Sequence, residues 1–147
     1  MEADGFTFLL GYEPGTRWAQ YLGRLDTGRR GIDLPADMVP ATFLVAEVDG
    51  VVVGRSSIRY QLNDFLAWEG GHIGYGILVE QRRRGYATDI LAQSLVIARA
   101  VGVDRVLVTC DDDNVGSASI IERCGGTFED VVDSRVDRGL VRRYWIN

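Results

Sequence analysis

Residues 72–91 read HIGYGILVEQRRRGYATDIL, and the fold is decided by where this stretch changes its period. His72 to Val79 is rich in aromatic and β-branched residues, which suits a strand. Gly74 and Gly76 interrupt it, and glycines inside a strand mark a bulge or a close backbone approach. From Ala87 the pattern is helical: Ile90, Leu91, Leu95, Ala98 and Val101 share one face, and Gly102 is a natural stop. The run Arg82-Arg83-Arg84 therefore occupies a strand-to-helix turn. At a helix start the first backbone N–H groups lack intrahelical partners and the dipole favours negative charge. Gly85 allows unusual φ and close approach, and Ala87 is too small to block a ligand. Such a turn is a nest for an anion, phosphate above all, and arginines around it add charge-assisted contacts. It is not a P-loop, because G-x-x-x-x-G-K-[ST] is absent. Nor is it a Rossmann site: Gly74-x-Gly76 lacks the full G-x-G-x-x-G and lies within the strand.

The neighbouring elements extend the pattern. RVLVTC, residues 105–110, reads as a buried strand, so 72–110 is a strand–helix–strand unit and predicts a right-handed parallel crossover. Upstream, ATFLVAEV (41–48) and VVVGRSSIRY (51–60) flank Asp49-Gly50, a favoured hairpin turn, and predict an antiparallel pair. QLNDFLAWEGG (61–71) reads as a loop. Before the hairpin, 16–25 suits a short amphipathic helix with Trp18, Tyr21, Leu22 and Leu25 on one face, followed by a loop to Pro40. Downstream, Asp111–Asn114 form a polar turn with a helix cap, SASIIERC (117–124) a short helix ending at Gly125-Gly126, and 127–134 and 140–146 two more strands. The expected fold class is α/β of the mixed α+β kind, a mostly antiparallel sheet with helices packed on it.

Composition bounds the function. At 147 residues a single domain over 1–147 is expected. A formal charge of −5 argues against a nucleic-acid partner, whose affinity comes mostly from phosphate neutralisation. No apolar run approaches the ~20 residues that span a bilayer, so no membrane association is expected. The opening MEADGFTFLLGYEPG has no basic n-region, and Cys110 and Cys124 make no disulfide framework. A cytoplasmic protein without a metal is the expectation.

Arg82 to Ala87 matches Q/R-x-x-G-x-G/A, the acyl-CoA signature of the GNAT (GCN5-related) N-acetyltransferases, which the chain resembles over about 41–147. The stretch N-x-x-S-x-x-I-I-E-R-C-G-G from Asn114 is similar to the fourth helix of that family, usually N-x-x-A-x-x-x-Y-E-K-x-G-F. GGHIGYGI, RGYATDIL, TCDDDN and RRYWI further resemble a subgroup of predicted acetyltransferases. Residues 1–40 are poorly matched, with no clear first strand before the Trp18 helix.

The resemblance implies a GNAT-type sheet with a central splayed parallel strand pair flanked by helices. It implies acetyl-CoA as acyl donor and direct acetyl transfer to an amine, small molecule or peptide. The pantetheine arm would pair with Tyr75, Gly76 and Ile77, a form of strand addition. The pyrophosphate would lie at the turn and helix start, with Arg82, Arg83, Arg84, Gly85, Tyr86, Ala87 and Thr88 as contacts. Asn114 and Ser117 would close the cofactor site from the far side, and a backbone N–H near Ile77 would polarise the thioester carbonyl. A homodimer is compatible with the family.

One position departs from the pattern. The family often places a tyrosine seven residues after the helix-capping asparagine, where it protonates the departing thiolate; here that residue is Ile121. The alternative to an enzyme is therefore a non-catalytic acyl-CoA-binding regulatory module. For the base that frees the amine, His72 is the candidate able to titrate near neutral pH, with Glu69, Asp111 and Asp112 nearby. Arg59, Tyr60 and Asn63 are candidates to line an acceptor pocket. The net acidity fits a cationic acceptor.

Overall fold

The computed structural model describes residues 7–147. The first six, part of the opening read above for a leader, lie outside the described residues. The elements follow the expected order. Helix α1 (Trp18–Arg30) precedes the hairpin of β1 (Ala41–Val48) and β2 (Val51–Arg59); β3 (Ile73–Ile77) leads through a short 3₁₀ turn into α2 (Tyr86–Ala100). Strand β4 (Val106–Asp111), helix α3 (Val115–Arg123) and strands β5 (Thr127–Asp133) and β6 (Leu140–Ile146) complete the chain. Among the described residues nothing before α1 is a strand.

Two elements differ from the sequence reading. Helix α1 runs on to Arg30, and Leu66–Gly70, expected as loop, is a single π-helical turn. Asn63 starts that turn: its Oδ1 accepts from the Leu66 N–H at 2.9 Å and its Nδ2 donates to Asp37 O at 2.9 Å. It is a local cap, and no acceptor ligand is needed to explain it.

The parallel crossover expected over 72–110, combined with antiparallel hairpins, suggests one mixed sheet. The strands instead form two antiparallel three-stranded sheets, ordered β1-β2-β3 and β4-β6-β5. The start of β3 lies against Leu107, and its middle lines a cavity together with Cys110 and Asp111, so β3 and β4 run parallel. They touch at one end only. There the His72 N–H donates to Leu107 O at 2.8 Å, and the Leu107 N–H donates to His72 Nδ1 at 2.9 Å. Beyond this seam no ladder joins them. The fold predicted from the resemblance, with its splayed central pair, is the one observed.

Gly71 makes the seam close. Its φ is +66° and a Cβ there would lie 2.6 Å from Leu107 O, so no other residue fits without moving β4. The core holds the two sheets together from the helical side. Ile58 and Ile73 of the first sheet, Val106, Val108, Tyr144 and Ile146 of the second, and Leu91, Leu95 and Ile121 of the helices form one buried cluster. Helix α2 supplies its buried stripe, Ile90, Leu91, Ser94, Leu95 and Ala98, at helical spacing. Ser94, polar within that stripe, is satisfied by Ser56 Oγ and Ile90 O, both at 2.7 Å.

Candidate active site

The parted strands open a cleft of about 930 Å³ on the α2–α3 side. One wall is the strand end Tyr75, Gly76 and Ile77; the floor is the turn into α2; the other wall is the start of α3. The turn has the geometry of an anion nest. Arg83 has φ +62° and Gly85 +84°, both left-handed, so successive N–H groups converge before the helix starts. Nothing lies within 4 Å of where a Gly85 Cβ would be. Tyr86, Ala87 and Thr88, the first helical residues, also line the cleft.

The arginines divide. Arg82 and Arg83 line the cleft, and Arg82 Nε donates back to Ile77 O at 3.3 Å. Arg84 is exposed and does not line it. Asn114 caps α3, its Oδ1 accepting from the Ser117 N–H at 3.0 Å. Ser117 Oγ in turn pairs with the Tyr75 hydroxyl at 2.9 Å, across the opening between the sheets. Burial pushes the Tyr75 hydroxyl up to about 12, the Ser117 contact opposing the shift. The sequence reading missed Gly116, Ile120 and Arg123 of α3, which reach the cleft at spacings of four and three residues. The helical period counted from Asn114 would have found them.

Beside the π-helical turn and the end of β2 lies a second cavity of about 300 Å³. Arg59, Glu69, Gly74 and Arg138 line it, and Tyr75, Asp111, Asn114 and Ser117 border both spaces. Of the three consecutive aspartates only Asp111 belongs here; Asp112 pairs with Arg142 at 2.6 Å. Asp111 Oδ1 is buried and lies 3.1 Å from Arg138 NH2, off the line of a good hydrogen bond. Tyr60, offered above as a pocket residue, is a hydrogen-bond partner of Thr42.

His72 is not brought to either cavity. It is 7% exposed, its pKa is pushed down by burial and by the Arg59 charge, and its Nδ1 lone pair is engaged by the Leu107 N–H. Nε2 then carries the proton, which leaves no lone pair for an amine. Ile121 is 0% exposed, packed in the core, and does not line the cleft. The terminal arginines and aromatics are structural. Arg143 grips Asp130 with two bonds of 2.7 Å, and Tyr144 is buried with its hydroxyl on Glu122.

A cleft between parted strands, with a left-handed turn at a helix start on its floor, is the arrangement the resemblance implies. The sequence agrees: residues 17–127, three quarters of the chain, match the family model described as Acetyltransferase (GNAT) domain, and the protein belongs to that family. The match begins at α1, which the sequence reading left outside the resemblance. No curated protein matches the chain. Solved structures share the fold at low identity. An N-acetyltransferase from Staphylococcus aureus Mu50 is 16% identical, with a TM-score of 0.67 over 98% of this chain and 84% of its own. A putative acetyltransferase from Salmonella typhimurium, solved with acetyl-CoA, is 19% identical, with a TM-score of 0.61 over 88% and 70%. A ribosomal-protein-alanine N-acetyltransferase from Brucella melitensis is 19% identical, with a TM-score of 0.61 over 86% and 74%.

Proposed function

We propose that the protein transfers an acetyl group from acetyl-CoA directly to an amine bound in the second cavity. The observation that supports this reading is that the two cavities meet between the parted strands, at Tyr75, Asp111, Asn114 and Ser117. Acetyl-CoA, when bound, supplies the activated thioester. The backbone from Arg83 to Thr88 holds its pyrophosphate, with Arg82 and Arg83 adding charge and Gly85 leaving room. The unpaired edge of β3 at Tyr75–Ile77 receives the pantetheine arm by strand-like pairing, and a backbone N–H near Ile77 polarises the carbonyl. Asn114 and Ser117 bound the arm from α3.

Asp111 stands on the acceptor side with a buried oxygen lacking a well-aligned donor, and it is placed to take the proton of an incoming ammonium. The Tyr75–Ser117 hydroxyl pair supplies the donor that Ile121 cannot. Burial keeps the phenol protonated, so it gives a hydrogen bond to the departing sulfur. His72 has no chemical step in this scheme.

Thermal shift with acetyl-CoA, ATP and NAD tests the donor: stabilisation by acetyl-CoA alone is expected, and none by any CoA species would overturn the reading. The buried Ile121 favours a second reading, a non-catalytic acyl-CoA-binding module. Thiol release across a panel of amines separates the two, since turnover of any amine excludes a purely binding role.

A further inference from the structure

Among the described residues Arg59 is a cation without a counter-ion. It projects from the end of β2 into the second cavity, where NH1 donates to the carbonyls of Gly70 and Gly71 at 3.1 and 3.4 Å. Its Nε and NH2 have no partner among the described residues, and no carboxylate there forms an ion pair with it. Burial and the nearby Arg55 both press its pKa downward, so the site holds this charge at a cost. Gly74 keeps the face of the guanidinium clear: a Cβ there would come within 3.3 Å of NH1 and 3.5 Å of NH2.

The π-helical turn, the end of β4 and the β5–β6 connection present the other sign. Glu69, Asp111 and Arg138 line the same cavity. Arg138 NH2 is 3.1 Å from Asp111 Oδ1 and its Nε 3.9 Å from Glu69 Oε2. Two carboxylates share one guanidinium, so this side carries one formal negative charge and the Arg59 side one positive. A single-file cation would meet Arg59 unpaired. A neutral amine would leave both sides uncompensated.

Taking the transferase reading above as given, we infer that the acceptor is a free α-amino acid, its carboxylate forked by Arg59 and its amine lodged beside Asp111. The average acidity of the chain points to a cationic acceptor, but the cavity itself is charge-separated. The paired donors of a guanidinium match a carboxylate bidentately, which an amide cannot imitate. Phe65, Leu66 and Ile73 on the cavity wall give the side chain an apolar contact.

The test offers each common α-amino acid, its amide and its decarboxylated amine with acetyl-CoA, and follows thiol release. At least one amino acid is expected to exceed both analogues in kcat/KM by about 100-fold, since a site built to bond one group rejects the analogue lacking it. Arg59→Met should erase that preference and leave the acetyl-CoA Kd unchanged, with Arg59→Lys in between. Should Arg59→Met fail to fold, Gly74→Ala probes the same contact with the charge retained, and a several-fold rise in KM for the amino acid alone is expected. An amide or simple amine used as well as the amino acid overturns the proposal. So does the acetylation of none of them by a protein that binds acetyl-CoA. If acetyl-CoA does not bind, the transferase reading falls first and this one with it.

Discussion

His72 and Leu107 exchange two hydrogen bonds, one through the backbone of each and one through the imidazole, and this exchange is the seam between the two sheets. A regular parallel ladder would bring a backbone carbonyl to the Leu107 N–H. Here that position falls at Gly70, in the π-helical turn, whose carbonyl accepts from Arg59 instead, and the ring nitrogen takes its place.

The seam makes stability depend on acid. The folded pKa of His72 lies below 6.5, because burial and the Arg59 charge oppose protonation. A group with a depressed folded pKa contributes stability that is present above the unfolded value and lost as pH falls through the folded one. Denaturant unfolding at stepped pH should therefore show stability declining below about 6.5. His72→Ala should remove this slope and cost about 1–3 kcal/mol at pH 7.5, the price of an unmet buried N–H. The pH–rate profile of the variant should keep the wild-type inflections; a lost inflection would restore His72 as the base.

Gly85 gives two separable outcomes. Its Cβ space is open, but φ +84° disfavours any L-residue. Gly85→Ala should cost roughly 1–2 kcal/mol of stability through strain and little affinity. Gly85→Trp should add loss of CoA binding, since bulk fills the nest. Calorimetry with CoA reads the difference, and equal affinity in the two variants would contradict the phosphate assignment.

Tyr75→Phe removes one hydroxyl and keeps the ring. A single donor to a developing negative charge is worth on the order of 100-fold in kcat. That fall is expected with the acetyl-CoA KM within about twofold, and Ser117→Ala should follow in the same direction with a smaller effect. A loss confined to KM would make Tyr75 a binding residue.

Glu69 is 2% exposed, yet its carboxylate accepts from Ser134 Oγ at 2.7 Å and the Arg135 N–H at 2.6 Å. It ties the π-helical turn to the β5–β6 connection, helped by Trp68 Nε1 on Asp133 O at 2.8 Å. Glu69→Ala strands both donors and should cost about 2–4 kcal/mol. Hydrogen exchange at Arg135 should quicken, and Arg138 should lose its position over the second cavity. Unchanged exchange at Arg135 would show that the connection is held otherwise.

The cleft and its lining were legible because their signals are local. A strand, a glycine-bearing basic turn and a helix face lie within 20 consecutive residues, and Asn114 announces its cap by residue type. The second cavity was legible only in part, because its members come from separate elements: residue type alone makes Arg59, Glu69 and Asp111 candidates, but Arg138 carries no such signal. Arg59 ends β2, Glu69 sits in a turn with no periodic signature, and Arg138 occupies a hairpin connection. Nothing in the spacing of these residues says that they meet. His72 misled for a related reason: its residue type invites titration chemistry, whereas its hydrogen bond to Leu107 is a tertiary fact.

The parting of β3 from β4 also answers a problem of self-association. An unpaired strand edge facing bulk solvent is a template for aggregation, and proteins usually blunt it with charge, proline or a bulge. Here two such edges are created, but they face each other inside the molecule, roofed by the helices that flank the cleft. The protein can therefore keep the edge of β3 at Tyr75 and Ile77 outside any strand ladder, with Ile77 O held by Arg82 Nε, without presenting that edge to another chain. A slender chain of amides can enter where a whole foreign strand cannot, so the same gap that reads a ligand also keeps the molecule from polymerising through its own middle.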